Sequence, residues 1–330
     1  MNGSSILVVG GAGYIGAHTC KALSVAGYLP VTYDNLSTGH REFVKWGPLV
    51  EGDLSDASLL SRTIQEYRAQ AVIHFAAHAY VGESVLDPQK YYENNVGGTL
   101  SLLRAMRDTG CKNIVFSSTC AVYGKPTLVP IAETEPTRPI NPYGRSKLMV
   151  EEILDDYRAA YGFRSVALRY FNACGCDHSA GIGELRDPET HLIPRAMMHL
   201  LGHLPDFQVF GADFDTPDGT AIRDYVHVSD LADAHVAASR LILAGERSGV
   251  YNLGTGEGHS VSQVLDAISR ETKLALSPAH GTRRAGDPPI LVADPALAKS
   301  ELGWSPSRSG LAEIVKSSWL WHQRVHAITT

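Results

Sequence analysis

The sequence predicts an α/β protein, a doubly wound parallel sheet with helices on both faces, followed by a second, smaller α/β lobe. Three observations predict it: short apolar runs alternate with helical spacing, three glycines mark the first strand-to-helix turn, and the alternation stops near Asn172. Residues 6–10 form an apolar run ending in glycine, and 14–26 have helical spacing at Ile15, Thr19, Ala22, Leu23 and Ala26. Runs at 31–34, 49–51, 71–75, 114–117 and 165–170 suit strands buried on both faces. Helical stretches separate them at about 56–67, 88–109 and 142–161. Residues 173–220 are irregular and rich in Gly, Pro, Asp and His, and helical patterns return at 228–244, 260–272 and 311–324. The expected organisation is a domain over 1–172 and a substrate-binding lobe over 173–330, with a segment at about 224–254 able to return to the first.

Composition narrows the function. The chain has 330 residues, 44% hydrophobic and 19% charged, enough to bury a site away from water. The net charge of −6 comes without a long run of one sign, so the expected partner is a small molecule rather than nucleic acid or a membrane. Cys20, Cys111, Cys120, Cys174 and Cys176 are odd in number and scattered, which reads as reduced thiols. No basic leader precedes the apolar N-terminal run and no stretch approaches the ~18 apolar residues of a membrane helix, so a cytoplasmic location is expected. No metal is expected either. Cys174 and Cys176 have no zinc-type spacing or second pair, and His74 and His78 straddle the end of a strand.

Gly10, Gly13 and Gly16 stand where the first strand becomes the first helix. A dinucleotide turn needs a residue without Cβ, close approach to a diphosphate, and a helix start packed against the strand. Asp34 ends the second strand 18 residues after Gly16, placed to accept from both ribose hydroxyls. Asn35 and Leu36 follow, and the next basic residue is Arg41, so the cofactor expected in this Rossmann arrangement is NAD rather than NADP.

Tyr143 and Lys147 are four apart at the start of the helix beginning near Pro142, on one face, after a strand that ends in Ser117, Ser118 and Thr119. A free tyrosine titrates near ~10, so a base at neutrality requires a depression of ~3 units, or ~4 kcal/mol. One cation at ~6 Å in an effective dielectric of ~20 contributes ~3 kcal/mol. Lys147 and an oxidised nicotinamide ring together suffice, which suits oxidation of an alcohol.

These residues resemble the extended short-chain dehydrogenase/reductase superfamily: GGAGYIG at 10–16, Asp34-Asn35, the strand-end SST and YGRSK at 143–147. VGES at 81–84, YYENN at 91–95, RYFN at 169–172, DGTAIRDYVHV at 218–228, YNLGTG at 251–256 and RRAGD at 283–287 resemble nucleotide-sugar 4-epimerases over nearly the whole length. The resemblance implies NAD-dependent interconversion of UDP-glucose and UDP-galactose through a 4-keto intermediate, by a homodimer. It implies Tyr143 as the base on the sugar 4-hydroxyl, Lys147 on the nicotinamide ribose, lowering the tyrosine pKa, and Thr119 on the same sugar oxygen. It implies a cofactor pocket of Gly10, Gly13, Tyr14, Ile15, Gly16, Asp34 and Asn35, with Asp53 and Leu54 at the adenine. Phe75, Ala76 and Ala77 would border the phosphates and ribose, and Asn94, Ser117 and Tyr170 would complete the pocket. Asn172, Leu192, Phe210, Arg223, Tyr225, Arg284 and Asp287 would grip UDP; two arginines suit a diphosphate independently of any resemblance.

The chain departs from that pattern at two places. Ala79 stands where some relatives carry a lysine near the cofactor phosphates. Leu291 stands at the position that gates the sugar pocket, intermediate between the tyrosine that excludes N-acetyl groups and the small residue that admits them. UDP-N-acetylglucosamine therefore stays open as a substrate, as do UDP-xylose and UDP-arabinose, since residues 77–84, AHAYVGES, also resemble pentose epimerases. A dehydratase would need an acid and a base beside Thr119, where the chain has Cys120 and Ala121. A non-enzymatic NAD sensor would not need both Tyr143 and Lys147.

Overall fold

A computed structural model describes residues 4–245, 249–283 and 287–326. The first half runs β1 (Ser5–Val9), α1 (Tyr14–Val25), β2 (Leu29–Asp34), β3 (Leu49–Glu51), α2 (Ala57–Glu66), β4 (Ala71–His74), α3 (Val81–Leu86), α4 (Pro88–Tyr91), α5 (Gly98–Thr109), β5 (Asn113–Thr119), α6 (Pro142–Tyr161) and β6 (Arg164–Tyr170). The second half follows with β7 (Asn172–Cys174), α7 (Leu192–Leu200), β8 (Gln208–Phe210), β9 (Ile222–Arg223), β10 (Tyr225–His227), α8 (Val228–Leu243), β11 (Gly249–Leu253), β12 (His259–Ser260), α9 (Val261–Thr272), β13 (Ala279–Gly281), β14 (Ile290–Leu291), α10 (Ala296–Glu301) and α11 (Leu311–His326).

Seven parallel strands form one sheet in the order β11-β6-β5-β4-β1-β2-β3, the doubly wound arrangement expected. The inner strands carry apolar runs because both of their faces are covered; β1 is buried at all five positions. One core, with Ile6, Val8, Ile73, Val115 and Leu168, lies under α1 and α8, and the other, with Leu7, Val72, Leu102, Met106 and Phe116, under α2, α5 and α6. The chain order reverses between β1 and β4, so the carboxyl ends there open a crevice where ligands of such sheets bind. β11 joins the edge beside β6, and α8 lies along α1. Helices α7, α9 and α11 share a separate core of Ile193, Met197, Val264, Ile268 and Ile314.

Local chemistry sets the ends of the site-bearing helix. The Asn141 side chain accepts from the Gly144 amide at 2.8 Å, and Pro142 occupies the first turn. Gly162 closes the helix at φ +69°, a left-handed turn that favours glycine. The expected single helix over 88–109 is instead interrupted. Between α4 and α5 the chain makes a wide π-type turn over Tyr92–Gly97, which carries Asn95 inward to 2% exposure. Buried hydrogen bonds from Asn95, given below, offset the irregular backbone.

Among the described residues no helix is long and apolar enough to cross a membrane. All five cysteines are unpaired.

Candidate active site

The glycine turn is shaped by close approach. Gly10 has φ +84°, and a Cβ there would lie 2.6 Å from the Ala76 amide nitrogen; at Gly16 it would lie 2.1 Å from the Gly10 carbonyl oxygen. The N-cap of α1 is Gly13, which has no side chain to occupy the first amides, so they are left for an anion. The side chains of the next two residues are committed elsewhere. The Tyr14 hydroxyl donates to the Gly175 carbonyl, and Ile15 packs against the core. Both can offer a phosphate only their main chain.

Asp34, at the end of β2, accepts from the amides of Ala12 and Leu36, each at 2.9 Å, while burial pushes its carboxyl up. The Asn35 amide donates to Asp53 at 2.7 Å, and bonds from Ser55 hold Asp53 below the usual carboxylate range. Leu54 is buried against Gly98. Phe75 and Ala76 both donate to the Val9 carbonyl, bringing the loop after β4 onto the glycine turn. A cradle that a Cβ would fill, a carboxylate at the second strand end and free helix amides fit the adenosine and diphosphate of NAD.

On α6, Lys147 is 3% exposed, donates from Nζ to the Ser117 carbonyl at 2.7 Å and lies 4.8 Å from the Phe116 ring centre. Burial draws its ammonium down to about 7, with Glu151 opposing. Tyr143 is half-buried; burial pushes its phenol up to about 12, and a hydrogen bond with Thr119 pulls the other way. The amine of Lys147, expected to acidify Tyr143 together with an oxidised nicotinamide ring, is turned to the Ser117 carbonyl here. The cation that opposes burial at the phenol is Arg186, from the segment between β7 and α7.

Several residues that organise this centre were not singled out in the sequence. Asn94 donates to Asn95 at 2.9 Å, and Asn95 in turn accepts from the His78 amide at 2.9 Å and donates to the His78 carbonyl and to Ser146 Oγ, both at 3.0 Å. The loop carrying Phe75, Ala76 and Ala77 is thereby fastened to α6 one residue before Lys147. Fully buried His235 donates from Nδ1 to the Leu231 carbonyl at 2.8 Å, which leaves Nε2 to accept from the Tyr170 hydroxyl at 2.7 Å. Burial lowers His235 to about 4 and pushes Tyr170 up, so both stay neutral. Glu151, one turn past Lys147, binds Arg169 through both oxygens (Nε at 3.1 Å and Nη2 at 2.5 Å) and accepts from Ser118. Arg169 continues through Tyr123, at 2.9 Å, to Asn252, at 2.7 Å.

Across the crevice, Asn172 begins β7 and donates from its amide to the Asp224 carbonyl at 2.9 Å, Leu192 opens α7, Phe210 ends β8 at 36% exposure, and Tyr225 is buried. Arg223 bonds Asp287 at 2.5 Å and its neighbour's carbonyl, that of Ile222, at 2.8 Å, so two residues expected to meet the ligand separately meet each other. Leu291 pairs with Arg223 in register and packs against the cluster of Tyr123 and Phe171, which Cys120 also joins. Arg284 lies outside the described residues. Fully buried Asp224 accepts from Thr255 N and Oγ1, Gly256 and Ala293, holding this wall together.

The segment before α7 carries a charge cluster. His191 Nδ1 lies 3.1 Å from Glu184 Oε1 and 3.0 Å from Glu189 Oε1, and Arg186 Nε donates to Glu184 at 2.9 Å. These three His and Glu donor atoms lie within 4.8 Å of one another, and their charges are compensated by the imidazole and Arg186. Burial opposes protonation of His191, but Glu184 and then Glu189 outweigh it and hold the imidazole up at about 9, from an ordinary 6.5. A raised folded-state value means stabilisation fully present below 6.5 and lost as pH rises through about 9. Melting temperatures at pH 6 and pH 9 should therefore fall less in His191→Asn than in the parent; equal declines would contradict this pairing.

The crevice thus joins a dinucleotide turn to a tyrosine–lysine helix, and comparison with known proteins settles the family. Residues 6–254 match the model of the NAD dependent epimerase/dehydratase family. The chain belongs to that family. Among curated members it is 52% identical over 324 residues to UDP-glucose 4-epimerase of Rhizobium meliloti, covering 98% of each chain. It is 45% identical to that of Lacticaseibacillus casei, covering 97% of each. Among solved members of the family, UDP-glucose 4-epimerase from Brucella ovis in complex with NAD superposes with a TM-score of 0.94 at 55% identity, over 96% of this chain and 97% of that one. The enzyme from Stenotrophomonas maltophila with bound NAD and formylated UDP-arabinopyranose gives 0.95 at 39% identity, over 99% and 100%.

Proposed function

We propose that the chain is an NAD-dependent isomerase that inverts carbon 4 of a UDP-hexose, interconverting UDP-glucose and UDP-galactose through a 4-keto sugar. The observation that carries this reading is the placement of Tyr143 and Lys147 on the first turns of α6, against Ser117 and Thr119 at the end of β5, across from the glycine turn. Full-length relatives named UDP-glucose 4-epimerase support the substrate.

Bound NAD would supply a reversible hydride acceptor. Tyr143 takes the proton of the 4-hydroxyl and returns it, and Thr119 orients the same oxygen. A phenol at about 12 is a poor base near neutrality, so the site must gather positive charge around it. Each cation at ~6 Å contributes ~3 kcal/mol at an effective dielectric of ~20. Lys147, freed from the Ser117 carbonyl, and Arg186 are the chain's own sources. Tyr170, pinned as a donor to His235 and kept neutral, does not compete as a base. Inversion requires the keto sugar to present its other face while the nucleotide stays held, which suits Arg223 and Asp287 on the UDP side and the apolar Leu291 and Cys120 near the sugar.

Purified protein given UDP-galactose and no added cofactor should form UDP-glucose. A 4-keto-6-deoxy sugar would mean a dehydratase, and no conversion would favour a sensor. UDP-xylose and UDP-N-acetylglucosamine run alongside test the gate at Leu291. Exposed Leu86, Leu100 and Met149, on α3, α5 and α6, support pairing of two copies through these helices. Five free thiols support the reducing cytoplasm as the location.

A further inference from the structure

A dinucleotide diphosphate carries two negative charges, and the N-terminus of α1 offers roughly half a positive charge in return. Neither the turn at 10–16 nor the loop at 75–80, which carries Ala79, contains a lysine or arginine. The missing charge has to come from another element.

Arg186 lies in the segment between β7 and α7. Its guanidinium carbon is 5.9 Å from the centre of the Tyr80 ring, and the Tyr80 hydroxyl donates to the Pro188 carbonyl at 3.2 Å, so the segment rests on the loop that contains Ala79. Burial raises the phenols of Tyr14, the first residue of α1, and of Tyr143, in the first turn of α6, and the Arg186 charge opposes that rise at both. One cation thus acts on the residue that opens α1 and on the phenol that would meet the sugar. Its tether is one-sided. Nε donates to Glu184, whose carboxylate is shared with His191, while among the described residues the Nη groups, with four N–H donors, carry no hydrogen bond. Glu184 is 5% exposed, so the Nε edge of the fork is fixed by a buried anchor while the Nη edge stays available to a ligand.

We propose that Arg186 is the cation that binds the cofactor's diphosphate, reaching across from the second lobe in place of a charge on the Ala79 loop. The inference rests on the NAD-dependent reading above and names the residue that holds the coenzyme in this chain. The same forked chemistry would suit the diphosphate of UDP, so the test separates the two sources.

Wild type, Arg186→Gln and Arg186→Lys, each stripped of cofactor and checked for an unchanged melting temperature, are titrated calorimetrically with NAD and separately with UDP. Arg186→Gln should weaken NAD binding about 10- to 100-fold, as expected for loss of charge-assisted hydrogen bonds, with UDP affinity held within about twofold. Arg186→Lys should recover part of the loss, and the salt dependence of NAD binding should flatten in Arg186→Gln. Unchanged NAD affinity in Arg186→Gln, or a loss that falls on UDP instead, would overturn the inference while leaving the epimerase reading intact. A wild-type protein that takes up no NAD would overturn both.

Discussion

Tyr143→Phe lowers turnover of UDP-galactose by about 10²- to 10⁴-fold, the usual worth of a positioned proton-transfer group, while the protein stays folded and keeps its NAD. The geometry leaves no substitute for the lost hydroxyl. Tyr170 donates to His235, and Tyr91 donates to Glu83, both phenols being raised and committed. Water is a weak base at neutral pH. The ring itself survives the substitution, including its edge-on contact with Tyr91 at 6.5 Å between centres, so packing against the crevice is retained. Initial rates, paired with chromatography of nucleotide released from the denatured protein, separate lost chemistry from lost cofactor. A variant within about threefold of the parent would remove Tyr143 from the proton path.

Glu151→Ala has the largest expected effect on stability. Both partners of the Glu151–Arg169 pair have side chains 7% exposed, and Arg169 commits Nε and Nη2 to this carboxylate. Removing the acid leaves a buried guanidinium whose remaining hydrogen-bond partner among the described residues is Tyr123 and takes the acceptor from Ser118, a loss of roughly 3–5 kcal/mol. Urea unfolding should show it, with Glu151→Gln milder because it keeps an acceptor for Ser118. The double variant Glu151→Ala/Arg169→Met, which removes the orphaned charge, should recover part of the loss. A drop below about 1 kcal/mol in Glu151→Ala would mean that water or another group compensates Arg169. Catalysis should suffer as well, because Glu151 and Lys147 bond adjacent residues of β5, Ser118 and Ser117, and so fix α6 against the strand that ends in Thr119.

The frame of this protein was legible in the sequence because its signals are local. Apolar runs such as SILVV place strands buried on both faces, and Gly10 and Gly16 mark a turn in which a Cβ would strike backbone. Tyr143 and Lys147 declare themselves by helical spacing. What escaped depends on contacts between distant segments. Glu151 and Arg169 are 18 residues apart with no shared pattern, and His235 meets Tyr170 across 65 positions. Of the two asparagines in YYENN, the second does the clamping, because the π-type turn rotates it inward, and a regular 3.6-residue period gives no warning of that turn. Arg186 sits in irregular chain where periodicity says nothing. The Arg223–Asp287 bond escaped for a different reason, since both residues were assigned to a ligand and not to each other.

The central claim is that hydrogen leaves carbon 4 and comes back to the same carbon within one closed site. UDP-galactose deuterated at carbon 4, converted in ordinary water and analysed by mass spectrometry and proton NMR, tests it directly. The account predicts UDP-glucose that retains the deuterium at carbon 4, with none appearing in solvent. Product carrying solvent hydrogen at that carbon would contradict it.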